Sequence, residues 1–141
     1  MNWFDTAREL TERWHHQQQI RLATGRPGIM TPALYHPVLD CFLRGLPHLY
    51  RDVDAREGTA FIVEISGDCG GLWCLVKRAE RWQLAREPLE EALSARVSIP
   101  REIGWRVFTK GINPESAEAQ IKVEGDRELV DPVLTLTAIV A

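Results

Sequence analysis

Hydrophobic side chains recur at helical spacing over the first part of the chain and predict a helix over residues 2–24. The apolar stripe of this helix consists of Trp3, Ala7, Leu10 and Trp14. The roughly opposite face carries four polar residues followed by one apolar residue. These are Asp5, Glu9, Glu12, His16 and Ile20. Two glycines and a proline in ATGRPG, residues 23–28, end the helix. The helix therefore has two chemically distinct faces.

A second helix is predicted over residues 37–50, with Pro37 in its first turn and Pro47 loosening its last turn. From residue 60 the pattern changes to the alternation of β strands, and one face carries Phe61, Val63 and Ile65. Three strands joined by short connections predict an antiparallel meander. These strands cover residues 60–66, 72–78 and 82–86.

The last part of the chain contains both the helical spacing and the alternation of β strands. It predicts a fourth strand, a helix, a fifth strand and a final helix, over residues 95–100, 101–111, 119–125 and 126–140. Asp126 is the expected N-cap of the final helix. The side chains of this helix that we expect to face the core are Leu129, Val133, Leu136 and Val140. This order of elements predicts an α+β fold, in which helices pack on one side of a mainly antiparallel five-stranded sheet.

Composition and charge narrow the function classes. A chain of 141 residues has the length of one domain, or of one domain with an appendage. The net charge of −3 and the lack of a basic block argue against a nucleic-acid partner. The longest apolar-rich run, residues 129–141, is too short and too interrupted to cross a bilayer. The first ten residues carry no apolar segment of signal-peptide length. We therefore expect a cytoplasmic protein without a membrane partner.

Three cysteines, Cys41, Cys69 and Cys74, form no CxxC pair. This spacing indicates reduced thiols in a cytosol and argues against a zinc cluster. Cys69 in GDCGG is either a nucleophile or a turn cysteine. The sequence shows no His–acid pair that would activate a nucleophile, which favours the turn cysteine. GDCGG joins a strand to a strand, whereas a phosphate loop leads into a helix.

A candidate metal-binding pair lies in the first helix. Glu12 and His16 are four residues apart and share one helix face, which is how a helix offers two ligands to one metal ion. The alternative is a solvated ion pair of the kind that is common on exposed helices. Catalytic zinc needs three protein ligands. His15 points about a third of a turn away, and His36 and His48 belong to the next helix.

Five stretches together carry a resemblance to a known family. They are ERWHHQQQIRLATGRPG, HPVLDCFLRGLPHLYRD, GGLWCLVKRAERWQL, ARVSIPREIGWRVFTKG and IKVEGDRELVDPVLTLTAIV. The first resembles the end of the metal-binding bundle in mycothiol-dependent maleylpyruvate isomerases and their DinB-like relatives. The others resemble the C-terminal domain of those proteins, which is similar to sterol carrier protein type 2.

The resemblance implies a division of the chain and a set of site residues. Residues 1–28 would be the last helix of an otherwise absent bundle plus a linker, and residues 29–141 the sterol-carrier-like α+β domain. Glu12 and His16 would match two of three zinc ligands, while the third, a histidine from an early helix, has no counterpart. The position three beyond His16 is often Asp in the family and is Gln19 here.

The same resemblance suggests chemistry. In a complete enzyme, zinc would hold the mycothiol thiol as a thiolate, which would add to the maleyl double bond, permit rotation and then leave. Arg127 would hold a substrate carboxylate by a bidentate pair, or else be a surface residue. The apolar strand faces and the final helix would line a lipid tunnel, or else form ordinary core.

Two functions follow from the sequence. The chain is the C-terminal part of a mycothiol-dependent isomerase and is non-catalytic by itself, or it is a stand-alone module that binds a small hydrophobic ligand or a protein. The expected partner is a second copy, joined through helix 2–24, or a separately encoded bundle domain.

Overall fold

The computed structural model describes residues 3–26, 31–68, 70–85 and 93–136, except for the side chains of residues 3, 4 and 32. Of the residues singled out above, Cys69, Val140 and the side chain of Trp3 lie outside this description. The helices are α1 (Trp3–Ala23), α2 (Pro32–Leu43), α3 (Leu46–Leu49), α4 (Arg101–Phe108), α5 (Pro114–Gln120), α6 (Arg127–Val130) and a 3₁₀ helix (Asp131–Thr135). The strands are β1 (Ala60–Ile65), β2 (Gly71–Arg78), β3 (Arg81–Ala85), β4 (Leu93–Ile99) and β5 (Lys122–Gly125).

The strands form one five-stranded sheet in the order β3-β2-β1-β4-β5. The predicted meander β1-β2-β3 is antiparallel throughout, and β5 is antiparallel to β4. One pair, β1 with β4, is parallel. The predicted fold class is therefore confirmed: the chain is α+β, with a mainly antiparallel sheet of five strands.

The two faces of the sheet differ in what covers them. Phe61, Val63 and Ile65 alternate along β1 and belong to the main buried cluster, as the period of two requires. This cluster contains side chains from every helix, whereas the second cluster contains strand residues only. The second cluster consists of Ala60, Ile62, Cys74 and Val76, with Ala85 and Leu93 beside them. The described helices therefore pack on one side of the sheet, as predicted.

Helix α1 packs onto the same core as the rest of the chain. Ala7 and Trp14 of the predicted stripe are buried, and Leu10 is half-buried. Ile20 is 57% exposed, as expected for the opposite face. The predicted domain boundary at residue 28 stays a prediction.

The second predicted helix is wrong in its limits. It begins at Pro32, so Pro32 and not Pro37 occupies the first turn, and Pro37 lies inside the helix. It ends at Leu43, where the turn tightens, because the N–H of Gly45 bonds to the carbonyl of Phe42 at 3.2 Å. Pro47 instead lies in the first turn of the separate helix α3.

The C-terminal third also departs from the predicted elements. The first two residues of the predicted strand 119–125 belong to the end of helix α5, and only Lys122–Gly125 is a strand. Asn113 starts α5, because its side chain accepts a hydrogen bond from the backbone N–H of Glu115 at 2.8 Å. The predicted N-cap is confirmed, since Asp126 Oδ1 accepts from the N–H of Leu129 at 3.3 Å.

The predicted final helix 126–140 is not one continuous α-helix over its described part, and residues 137–140 lie outside the described residues. The α-helical part ends at Val130 because Pro132 has no N–H to donate to the carbonyl of Glu128. A 3₁₀ helix follows, over Asp131–Thr135. The predicted inward residues Leu129, Val133 and Leu136 are buried.

Candidate functional site

A cleft of about 590 Å³ lies between α4, α5 and the 3₁₀ helix. Its volume falls in the range of sites for small molecules, roughly 300 to 1,000 Å³. The lining residues come from four segments and are Val107, Lys110, Ile112, Pro114, Ala117, Glu118, Asp131 and Leu134.

The floor of this cleft is apolar. Val107 and Ala117 are buried, and Ile112 and Leu134 are half-buried against the main cluster. The short side chain of Ala117 leaves room in front of α5. Most of the apolar surface that the floor leaves uncovered therefore belongs to Ile112 and Leu134.

The chain reaches α5 through a tight turn. Lys110 adopts a left-handed φ of 56° after the end of α4, where glycine is the usual residue. The N–H of Gly111 then bonds to the carbonyl of Arg106 at 2.7 Å. Ile112 and Pro114, which follow this turn, line the cleft.

Charged side chains form the rim of the cleft. Glu118 of α5 and Asp131 of the 3₁₀ helix both line the cleft, and Arg127 is ion-paired with both, at 3.5 Å from Asp131. All three side chains are about half exposed, so these pairs are worth at most about 1 kcal/mol each. Lys110 also lines the cleft, so the lining carries one cation and two anions, and Arg127 pairs with both anions from beside the cleft.

The predicted role of Arg127 is a contact with a substrate carboxylate. In the structure, its guanidinium contacts two protein carboxylates beside the cleft. The contact with a substrate stays a prediction.

A second cleft, of about 580 Å³, lies between α2 and the ends of β2 and β3. Asp40 accepts hydrogen bonds there from Trp73 Nε1 at 3.1 Å and from Arg44 Nε at 3.0 Å. The ring of His36 stacks on Trp73, and His36 Nδ1 lies 2.8 Å from the carbonyl oxygen of Gly70. These polar groups bond to one another and fasten α2 to β2.

The predicted metal ligands Glu12 and His16 are both exposed on α1. His15 turns inward, where burial and, to a smaller extent, the neighbouring His16 lower its pKa. Within the described ranges, no group of three or more His, Cys, Asp or Glu side chains is placed to hold a metal ion. The role of Glu12 and His16 as zinc ligands stays a prediction.

Sequence reasoning missed most of the cleft. Ile112 and Ala117 had no predicted role, whereas Leu134 belongs to the final helix that was expected to line a lipid tunnel or to form ordinary core. The sequence signal that could have shown α5 was Asn113–Pro114, a pair that is typical of a helix start.

None of the described helices is both long and apolar enough to span a bilayer.

Comparison with known proteins gives similarity of fold only. No family model matches the chain, and no curated protein matches it. The chain is similar to the solution structure of palmitated sterol carrier protein 2 like 2 from Aedes aegypti, with a TM-score of 0.48 and 14% identity, over 68% of this chain and 90% of that one.

Two further solved structures are similar to the chain. Sterol carrier protein 2 from Yarrowia lipolytica, in its apo form, has a TM-score of 0.46 and 9% identity, over 75% of this chain and 88% of that one. The ubiquinone synthesis protein UbiJ-SCP2 has a TM-score of 0.42 and 14% identity, over 73% and 88%. None of the three is a mycothiol-dependent or DinB-like protein. TM-scores below 0.5 establish neither a family nor a function for this chain.

Proposed function

We propose that the chain is a binding module for a small apolar ligand, held in the cleft between α4, α5 and the 3₁₀ helix. The observation that carries this proposal is the apolar floor formed by Val107, Ile112, Ala117 and Leu134. Apolar surface that a ligand removes from water contributes roughly 25 cal/mol per Å². A ligand that covers this floor gains binding energy from contacts that the fold leaves open.

The rim restricts the kind of ligand. Its two anions are offset by the lining Lys110 and by Arg127 beside the cleft, which leaves little net charge at the mouth, so the rim does not select a highly charged molecule. A ligand with an apolar body and one polar end fits this distribution, because the body covers the floor while the end meets the rim. Decanol and decanoate are suitable probes, since they share the chain and differ in the charge of the end.

The isomerase chemistry suggested by the sequence remains a separate hypothesis. It needs a zinc centre, to which one chain supplies Glu12 and His16. We therefore propose that this polypeptide alone binds without catalysing a reaction.

Two substitutions on α5 test the proposal. Ala117 lines the cleft and is buried, whereas Ala119 is exposed on the same helix and is not a lining residue. Ala117→Leu fills the cleft and is expected to weaken decanol binding at least tenfold in calorimetry. Ala119→Leu, the matched control, is expected to leave the affinity unchanged.

Thermal unfolding of both variants checks that each one is folded. Folded Ala117→Leu protein that binds decanol as tightly as the unaltered chain would contradict the proposal. So would an unaltered chain that does not bind either probe.

A further inference from the structure

One imidazole is held in a fixed position in the second cleft, between α2 and the ends of β2 and β3. The ring of His36 stacks on Trp73, with centroids 5.3 Å apart and planes inclined by 20°. Its Nδ1 lies 2.8 Å from the carbonyl oxygen of Gly70. A Cβ at Gly71 would lie 3.0 Å from His36 Cε1 and 3.2 Å from Trp73 Cη2, so glycine leaves room for the stacked rings. Three separate features thus hold a side chain that is exposed.

The bond to Gly70 also sets the tautomer of His36. A carbonyl oxygen only accepts hydrogen bonds, so Nδ1 carries the proton. In the neutral imidazole the other ring nitrogen, Nε2, is then an acceptor. Within the described part of the chain, no group bonds to Nε2. His36 therefore offers one hydrogen-bond acceptor of fixed orientation to a molecule in the cleft.

The rest of the lining restricts the kind of molecule. Asp40 and Arg44 form an ion pair at 3.0 Å, so the lining carries one anion and one cation and favours no charged ligand. The apolar part of the lining consists of Leu72, which is 45% exposed, and of the half-buried Leu84 and Ala85. The cleft has a volume of about 580 Å³, whereas a cavity of about 150 Å³ already holds a benzene ring.

We propose that this cleft binds a small neutral phenol, whose hydroxyl donates to His36 Nε2 while its ring covers Leu72, Leu84 and Ala85. A phenol hydroxyl is more acidic than the hydroxyl of an alkanol and is therefore the stronger donor. A single ring also has no internal rotation to lose on binding, which lowers the entropic cost. This ligand and this cleft differ from those of the proposed function, so the two proposals stand independently.

The probe is 4-methylphenol, titrated into the ¹⁵N-labelled chain and followed by nuclear magnetic resonance. The expected result is saturable binding, with the largest amide shifts at residues 36, 71–73 and 84–85. The matched ligand is 4-methylanisole, which has the same ring and methyl group but no proton on its oxygen. It is expected to bind at least tenfold more weakly, because it cannot donate to Nε2.

His36→Asn separates ligand binding from the attachment of α2 to β2. The amide nitrogen of asparagine takes the place of Nδ1 and is able to donate to Gly70, whereas no atom takes the place of Nε2. We expect this variant to stay folded in thermal unfolding and to bind 4-methylphenol at least tenfold more weakly. His48→Asn is the matched control, because His48 is exposed on α3 and does not line the cleft. It is expected to keep the affinity of the unaltered chain.

Three results would overturn the proposal: no saturable binding of 4-methylphenol, equal affinity for 4-methylanisole, or a folded His36→Asn chain that binds as tightly as the unaltered one. Displacement of 4-methylphenol by excess decanol would assign the phenol to the other cleft and would overturn it as well. If His36→Asn does not fold, the comparison of 4-methylphenol with 4-methylanisole decides by itself.

Discussion

The indole of Trp14 in α1 stacks on the ring of Tyr35 in α2, with ring centroids 4.9 Å apart and planes inclined by 9°. Trp105 of α4 meets Trp14 edge-on at 5.8 Å. The Tyr35 hydroxyl donates to the carbonyl of Arg101 at 2.6 Å and accepts from the N–H of Trp105 at 3.2 Å. Three helices are thus joined by one aromatic group, which holds α1 on the α+β body.

Trp14→Ala is expected to destabilise the chain by about 3–5 kcal/mol, the usual loss for a buried tryptophan. The reason is the removal of both ring contacts together with a cavity between α1, α2 and α4. Urea unfolding followed by circular dichroism measures the loss. Ile20→Ala, on the exposed face of the same helix, is expected to change stability by about 0.5 kcal/mol or less. Equal effects of the two substitutions would mean that α1 does not dock through Trp14.

Tyr50 makes stability depend on pH at the alkaline end. Its hydroxyl donates to the carbonyl of Leu129 at 2.6 Å, and burial raises its pKa well above the ordinary value. The folded chain therefore keeps this proton when the unfolded chain loses it, so stability falls as pH rises above about 10.

Tyr50→Phe is expected to cost about 1 kcal/mol near neutral pH, because one hydrogen bond is lost. Its deficit relative to the unaltered chain is expected to shrink above about pH 10, since the phenylalanine does not ionise. Denaturant unfolding of both proteins at a series of pH values measures the loss of stability near neutral pH and its change at alkaline pH. A deficit that stays constant to the highest pH would show that Tyr50 does not titrate differently on folding.

The strands were the best-predicted part of the fold. β1 to β4 begin and end within two residues of the predicted limits. The reason is that alternation of apolar and polar residues over several positions is typical of a half-buried β strand. Helix α5 was missed because PESAEAQ has no apolar stripe and buries Ala117 alone. Its start depends on a cap, which the hydrophobic pattern does not contain.

The candidate site was less predictable than the fold. The apolar floor joins Val107, Ile112, Ala117 and Leu134, which belong to separate segments and meet only in the folded chain. Glu12 and His16 were found because their spacing lies within one helix. Sequence spacing does not show whether a third ligand converges on such a pair.

Arg127→Gln is expected to change decanoate affinity by less than about threefold, which is under 1 kcal/mol. The guanidinium is already balanced by Glu118 and Asp131, so a ligand carboxylate gains little from it. Calorimetry with decanoate and decanol in parallel separates charge from packing. A tenfold loss for decanoate without a loss for decanol would establish Arg127 as the carboxylate contact predicted from the sequence.

The isolated chain is expected to show no maleylpyruvate isomerase activity with mycothiol and zinc. The physical reason is the incomplete ligand set, which leaves no centre to hold the thiolate. A spectrophotometric assay of maleylpyruvate conversion measures this. Turnover above background that His16→Ala abolishes would prove the expectation wrong.

The central claim is that an apolar ligand occupies the cleft between α4, α5 and the 3₁₀ helix. Nuclear magnetic resonance of the ¹⁵N-labelled chain, titrated with decanol, tests it most directly because each backbone amide reports separately. The account predicts that the largest shifts fall in residues 107–118 and 131–134, and that Ala117→Leu suppresses them. Shifts concentrated instead around His36, Asp40 and Trp73, or no saturable shifts at all, would contradict it.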